Sequence, residues 1–178
     1  MNTQIKESPR LFSNADLRKL ILPLVLEQTL VITVGMVDTM MVSSVGEAAV
    51  SGVSLVDMLV NLVLSVFAAL STGGAVVTSQ FLGAKREKDA CHSSRQLIYT
   101  VAIFSSVVMV VCMLACRPIL SFFFGSIEAD VMDNARIYLL ICAVSFPFMG
   151  VYDAAAALFR AMGNSLIVLK ASCIMNAV

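Results

Sequence analysis

Residues 22–42 read LPLVLEQTLVITVGMVDTMMV, and the nature of this run decides the fold. It is apolar almost throughout and long enough for a spanning helix, because about 20 such residues cover the roughly 30 Å of hydrocarbon in a bilayer. Yet it contains Pro23, Glu27 and Asp38. An acid at the centre of a spanning helix costs about 2.5–3.5 kcal/mol on insertion scales, so its presence points to a partner inside the membrane or to a water-filled path. At about 100° per residue, Glu27 and Asp38 fall within about 20° of each other and line one helix face. Pro23 removes a backbone hydrogen bond from the same helix and lets it bend.

The rest of the chain agrees with a lipid environment. Of 178 residues, 59% are hydrophobic and 13% charged, and the mean hydropathy is +0.92, the balance of an integral membrane protein. Four stretches are long and apolar enough to span: 17–42, 53–81, 97–116 and 137–159. A fifth starts at 165 and reaches only about 21 Å by 178 at about 1.5 Å per residue. The expected fold is therefore an all-α, polytopic helical bundle with four complete spans and a truncated fifth, and the chain reads as a piece of a longer protein. Residues 1–16 form a polar lead-in, and 17–178 form the membrane part.

Lys and Arg are unevenly placed. Lys6, Arg10, Arg18 and Lys19 precede the first span, Lys85, Arg86, Lys88 and Arg95 lie between the second and third, and Arg160 follows the fourth. The opposite side has only Arg117 and Arg136. The positive-inside rule then puts the N-terminus in the cytoplasm of a cell whose inner membrane holds the chain as a multi-pass protein. The first apolar run is too long and too acidic for a cleavable leader, so the first helix is expected to be retained. The three connections expected are SSVGEAAVSG, the basic GAKREKDACHSSR, and the longer external RPILSFFFGSIEADVMDNAR, whose Phe122, Phe123 and Phe124 are expected to pack.

Zero net charge excludes a bulk preference for nucleic acid. Five cysteines without a CxxC pair indicate neither a disulfide framework nor a zinc site. Cys112 and Cys116 share a helix face as small buried hydrophobes. His92 falls in the basic loop as a solvated side chain. The spans hold no His cluster and no Ser/His set, so an enzyme is not expected. Gly73 and Gly74 lack the surroundings of a phosphate loop and read as a thinning of the second helix, while Gly150 and Ala154 form a small-xxx-small pair for close helix contact.

Four carboxylates fall within the spans, Glu27, Asp38, Asp57 and Asp153, and within a span only Lys170 is available to answer them. Asp57 and Asn61, at i and i+4, share a face of the second helix. These acids must face one another or a cavity, or hold a proton.

Three separated motifs then resemble one family. LPLVLEQTLVITVGMVDTMMVSSVGEAAVSGVS (22–54) is similar to the first helix and loop of multidrug and toxic compound extrusion transporters. GGAVVTSQFLGAKREKDA (73–90) resembles their exit from the second helix, and LFRAMGNS (158–165) their turn between helices four and five. Such proteins have two six-helix lobes and export cationic or amphipathic organic compounds in exchange for Na⁺ or H⁺. The resemblance covers nearly all of this chain but about two-fifths of a family member, leaving the second lobe as a missing partner beside lipid and the drug substrate.

By the resemblance, Pro23 matches the bending proline and Asp38 the acid that exchanges a proton or helps hold Na⁺. Asn176 matches the asparagine of an NxxxD element whose aspartate would lie four residues on. Asp153 falls where the family places a polar cavity side chain, and Val34 stands where some members carry a tyrosine. Asp38, Glu27, Asn176, Asp153, Asp57 and Asn61 are together the residues expected to line an ion-coupling and substrate cavity. No cofactor is implied beyond the coupling ion, and this chain by itself is not expected to transport. The competing expectation is a non-transporting helical scaffold in which the acids only pair helices.

Overall fold

The computed structural model describes residues 14–44, 46–125 and 128–177, the side chains of 14–17, 19, 20, 176 and 177 excepted. The polar lead-in before Asn14 thus lies outside the described residues. Six helices follow in order: α1 (Asn14–Ser43), α2 (Glu47–Gly83), α3 (Glu87–Leu114), α4 (Cys116–Phe124), α5 (Ala129–Ala161) and α6 (Ser165–Ala177). Four of them, α1, α2, α3 and α5, are long and apolar enough to cross a membrane, and α6 is a shorter apolar helix.

The helices run further than hydropathy suggests, and the expected loops shrink accordingly. Gly46, at φ 134°, makes the turn after α1, and Glu47 starts α2 at once, its negative charge set in the first turn where the helix dipole favours it. Most of SSVGEAAVSG is therefore helix rather than loop. At the other end Lys85 takes φ 59°. Arg86 donates to Asp89 at 2.8 Å, and α3 begins at Glu87 with two acids in its first turn. His92 and Arg95 consequently sit on α3, His92 being exposed as expected. The 37-residue α2 is about 55 Å long, nearly twice the hydrocarbon thickness.

The third connection is corrected more substantially. It contains a helix of its own, α4, set off from α3 by Ala115 (φ −111°, ψ 23°) and closed by Gly125 at φ 65°. Cys112 and Cys116 are both buried, as expected, but lie on opposite sides of that break. Of the three phenylalanines, only Phe124 packs into the core, whereas Phe122 and Phe123 are exposed.

The core lies between α2, α3 and α5 in three clusters stacked along the bundle. Nearest Gly46, Val56 and Leu59 meet Leu120, Ala135 and Leu139. Midway, Phe67 sets its ring edge-on to Phe104 and Phe146, both at 6.1 Å. Towards Lys85, Ala75, Leu97 and Val101 meet Ala154 and Leu158. Lipid tails are as apolar as leucine, so burial does not drive helices together in a bilayer, and close approach through small residues does. A Cβ on Gly74 would come within 2.3 Å of Leu97 Cδ1, and one on Gly150 within 3.0 Å of Ser105. Gly73, by contrast, faces open space, so only the second glycine of the pair thins α2.

Gly52 sits tightest against main chain, since its Cβ would lie 3.0 Å from Ala135 N and 3.1 Å from Val131 O. Backbone cannot swing aside as a rotamer does. Gly52→Ala is expected to destabilise the bundle by about 1–3 kcal/mol. Gly73→Ala should stabilise it by up to about 1 kcal/mol by removing helix glycine entropy. Detergent-denaturation midpoints that move in the same direction for both would refute this packing.

α1 stands apart from that core. It packs mainly on α6 and, near its far end, on α2, and Ile21, Leu22, Val25, Val31, Met36, Met40 and Met41 are all exposed. Its hydroxyls turn back on its own carbonyls: Thr29 donates to Val25, Thr33 to Thr29 and Thr39 to Gly35, at 2.8–2.9 Å. Pro23 lies within α1, and a second proline, Pro147, lies within α5. Each removes a rung from its helix's hydrogen-bond ladder.

Candidate functional site

The membrane acids gather at two places, one towards each end of the bundle. Towards Gly46, Asp38 of α1, Asp57 and Asn61 of α2 and Tyr138 of α5 line a cavity of about 280 Å³, closed in by Val42, Val50, Val53 and Val60. Asp38 is exposed and Asp57 half-buried. Tyr138 donates its phenol proton to Asp57 Oδ1 at 3.1 Å. The Asn61 amide donates to the Asp57 carbonyl one turn earlier at 2.8 Å, which leaves the amide oxygen as an acceptor.

Among the described residues no Lys or Arg lines the cavity. Two carboxylates, an amide and a phenol with apolar walls thus form an oxygen-lined, electronegative chamber, in which attraction for a cation is stronger than in bulk water. Next to it, sharing Val50 and Ser54, lies an open depression of about 890 Å³ lined by Glu47, Glu128 and Met58. The approach from that end is therefore acidic as well.

The second cluster lies towards Lys85 and Gly163. Arg160 Nη2 donates to Glu27 Oε1 at 2.7 Å, joining α5 to α1. Glu27 is buried, 8% exposed, and its Oε2 has no hydrogen-bond partner among the described residues. Tyr152 is hydrogen-bonded to Ser172 of α6 and lies within electrostatic reach of Glu27, Arg160 and Asp153. The cluster thus ties α1, α5 and α6 together at the end where α1 carries Pro23.

This arrangement corrects three sequence expectations. Glu27 and Asp38 do not share a cavity, for although they follow one helix face, eleven residues of α1 separate them by about 16 Å. The base that answers Glu27 is Arg160, whereas Lys170 is exposed. A basic residue at the end of a span reads as loop, but its long stem lets the guanidinium reach back to a buried acid. Asp153 belongs to this second cluster, half-buried near Arg160, and does not line the Asp38 cavity. Asp57 and Asn61 do join Asp38 in one cavity. The Asn176 side chain lies outside the described residues.

Tyr138, Arg160 and Tyr152 were not singled out by sequence reasoning. The signal available for Tyr138 was a phenol in the first turn of an apolar span, since a buried tyrosine hydroxyl seeks a partner. The tyrosine of this cavity is Tyr138 of α5.

Comparison with known proteins places these features in a lineage. The MatE family profile matches residues 23–178. An uncharacterized transporter, YisQ, of Bacillus subtilis is 27% identical over 119 residues, covering 67% of this chain and 26% of that protein. A probable multidrug resistance protein, NorM, of Bacillus licheniformis is 25% identical over 150 residues, covering 84% of this chain and 33% of that protein. The chain thus spans about a quarter to a third of the length of these relatives. With a match over nearly its whole length, this all-helical, membrane-spanning chain belongs to the MatE family of multidrug and toxic compound extrusion proteins.

Proposed function

We propose that the chain supplies part of one lobe of a secondary antiporter that exports cationic or amphipathic organic compounds in exchange for Na⁺ or H⁺. The observation that carries this reading is the cavity that Asp38 of α1 and Asp57 of α2 line together with Asn61 and Tyr138, with no basic residue among the described residues of the lining. Such a chamber offers a coupling cation and a cationic substrate the same negative charge, so the two compete.

The geometry also supplies a moving part. α1 carries Asp38 towards one end and Pro23 towards the other, where Glu27 is paired with Arg160 of α5. A proton or Na⁺ bound at Asp38 lowers the negative charge of the chamber and favours a second position of α1 relative to α2. An ion with differential affinity for the two positions of α1 shifts their populations. Exposed Met36, Met40 and Met58 add a pliable apolar wall suited to varied substrates. Lys85, Arg86, Lys88 and Arg95 flank the short turn between α2 and α3, which supports an inner-membrane orientation with the N-terminus in the cytoplasm.

The test is efflux of a fluorescent organic cation from vesicles containing the transporter that carries this chain. An imposed inward gradient of Na⁺ or of protons should accelerate efflux several-fold, and the gradient that does so identifies the coupling ion. Efflux indifferent to both gradients would eliminate antiport.

A further inference from the structure

Glu27, Asp153 and Arg160 stand outside the Asp38 cavity and make a polar island of their own. Glu27 accepts from Arg160 Nη2 through Oε1 at 2.7 Å. Its Oε2 is buried too and has no partner among the described residues. Asp153 is half-buried within electrostatic reach of the same guanidinium, and Tyr152 is within reach of all three charges.

No second base answers the two acids. α1 holds no titratable residue between Lys19 and Asp38 other than Glu27, and α2 supplies none between Asp57 and Lys85. On α6, Lys170 and Cys173 are exposed. α3 meets this part of α5 through Leu97 and Val101, while its His92, Arg95 and Tyr99 are exposed. With both acids ionised the island would keep a net negative charge inside the spans, which is costly, and one proton brings it to neutrality. When two acids interact this closely, the proton belongs to the pair rather than to either residue.

The helix geometry lets one guanidinium serve both acids. Asp153 and Arg160 are seven residues apart on α5, which at about 100° per residue places them within about 20° of the same face. They are about 10 Å apart along the axis at about 1.5 Å per residue. Side chains on a helix lean towards its N-terminus, so the long stem of Arg160 runs back towards Asp153. The Arg160 side chain is 40% exposed against 11% for that of Glu27, so the guanidinium has room to change its direction.

We propose that this island is a proton-binding site separate from the Asp38 cavity, in which Glu27 and Asp153 hold one proton between them and Arg160 bonds whichever carboxylate is left ionised. With the proton on Asp153, Arg160 bonds Glu27 and ties α5 to α1, the arrangement of this structure. With the proton on Glu27 Oε2, the arginine folds back along α5 to Asp153 and the tie to α1 is undone. The charge is zero in both arrangements, and the proton exchanges with water on the side where the guanidinium is exposed. A pair that served packing alone would need one acid and one base, and would leave both Asp153 and the unpartnered Oε2 without a purpose. The site is tested without transport, so it stands or falls apart from antiport.

Two measurements on the transporter that carries this chain read the proton and the tie separately. In infrared spectra near neutral pH, Glu27→Gln and Asp153→Asn should each remove the same carboxylic-acid carbonyl band, because the acid that remains pairs with Arg160 as a carboxylate. The double variant should remove no more, and Asp38→Asn should leave the band in place. In amide hydrogen exchange, Glu27→Gln should quicken exchange around residue 27 about tenfold or more, the effect of losing one charge-assisted hydrogen bond. Asp153→Asn should instead slow it several-fold, since Arg160 then has Glu27 alone, and that slowing also shows the variant to be folded. Absorbance unchanged by either single substitution, or loss of the band in Asp38→Asn, would overturn the shared proton. Exchange around Glu27 that Asp153→Asn leaves unchanged or quickens would overturn the competition for Arg160.

Discussion

Asp38→Asn should reduce cation-coupled efflux by about 100-fold or more while leaving the protein in the membrane. Two unit charges about 4 Å apart attract by about 4 kcal/mol at an effective dielectric of 20, and even half of that, lost for both cation and substrate, is a factor of about 30 for each. Asparagine keeps the size of the side chain and removes the charge, and Asp38 is exposed to the cavity rather than packed, so little stability should be lost. Asp57→Asn should be milder, because Tyr138 already occupies Oδ1 of that carboxylate and Asp38 remains. Asp153→Asn, outside the cavity, should leave the dependence on the ion gradient in place. The check is efflux of a fluorescent cation at matched membrane abundance. Near-normal, gradient-driven efflux by the Asp38 variant would remove that residue from the coupling site.

Arg160→Ala should destabilise the bundle by about 2–4 kcal/mol. Removing one partner of a buried ion pair typically costs about 3–5 kcal/mol because the other charge is stranded. The lower range applies here since the Arg160 side chain is 40% exposed and already partly screened. Among the described residues Glu27 would then have neither oxygen partnered, Oε2 having no partner there to begin with. Glu27→Ala should cost less, because the arginine left behind can extend its stem and hydrate its head. Arg160→Lys should recover part of the loss, keeping the charge but not the planar fork. Unfolding by denaturing detergent orders these variants, and a Glu27→Ala effect as large as that of Arg160→Ala would contradict the stranded-charge account.

Composition and hydropathy were enough for the fold class, because a bilayer admits few solutions: apolar runs of the right length must be helices. What hydropathy does not carry is any helix beyond the hydrocarbon. Residues 47–52 and 87–95 are polar or small and read as loop, yet both continue spanning helices, favoured by Glu47, Glu87 and Asp89 in first turns. α4 was hidden for a related reason, being too short to span and followed by Gly125.

The candidate site was legible as a set of residues and illegible as pairs. Asp38 declares itself as an acid in an apolar run. Helical periodicity then relates it correctly to neighbours along α1, but says nothing of which helix lies opposite. Tyr138 and Asp57 are 81 residues apart in the chain, and Arg160 and Glu27 are 133 apart, so each pairing depends on the relative height and rotation of two helices. That register is set by glycine contacts such as Gly52 on Ala135. The shared face of Glu27 and Asp38 was therefore real as helix geometry and misleading as to a common cavity.

The threonines of α1 have one more implication. Because Thr29, Thr33 and Thr39 spend their protons on carbonyls of their own helix, these hydroxyls offer a neighbouring helix acceptors but no donors. A carbonyl set against them finds nothing to bind, so at these three positions shape alone decides where it rests. The rod can then roll about its axis there without giving up a bond donated by any of the three, and the Glu27–Arg160 tether marks the point about which it would pivot.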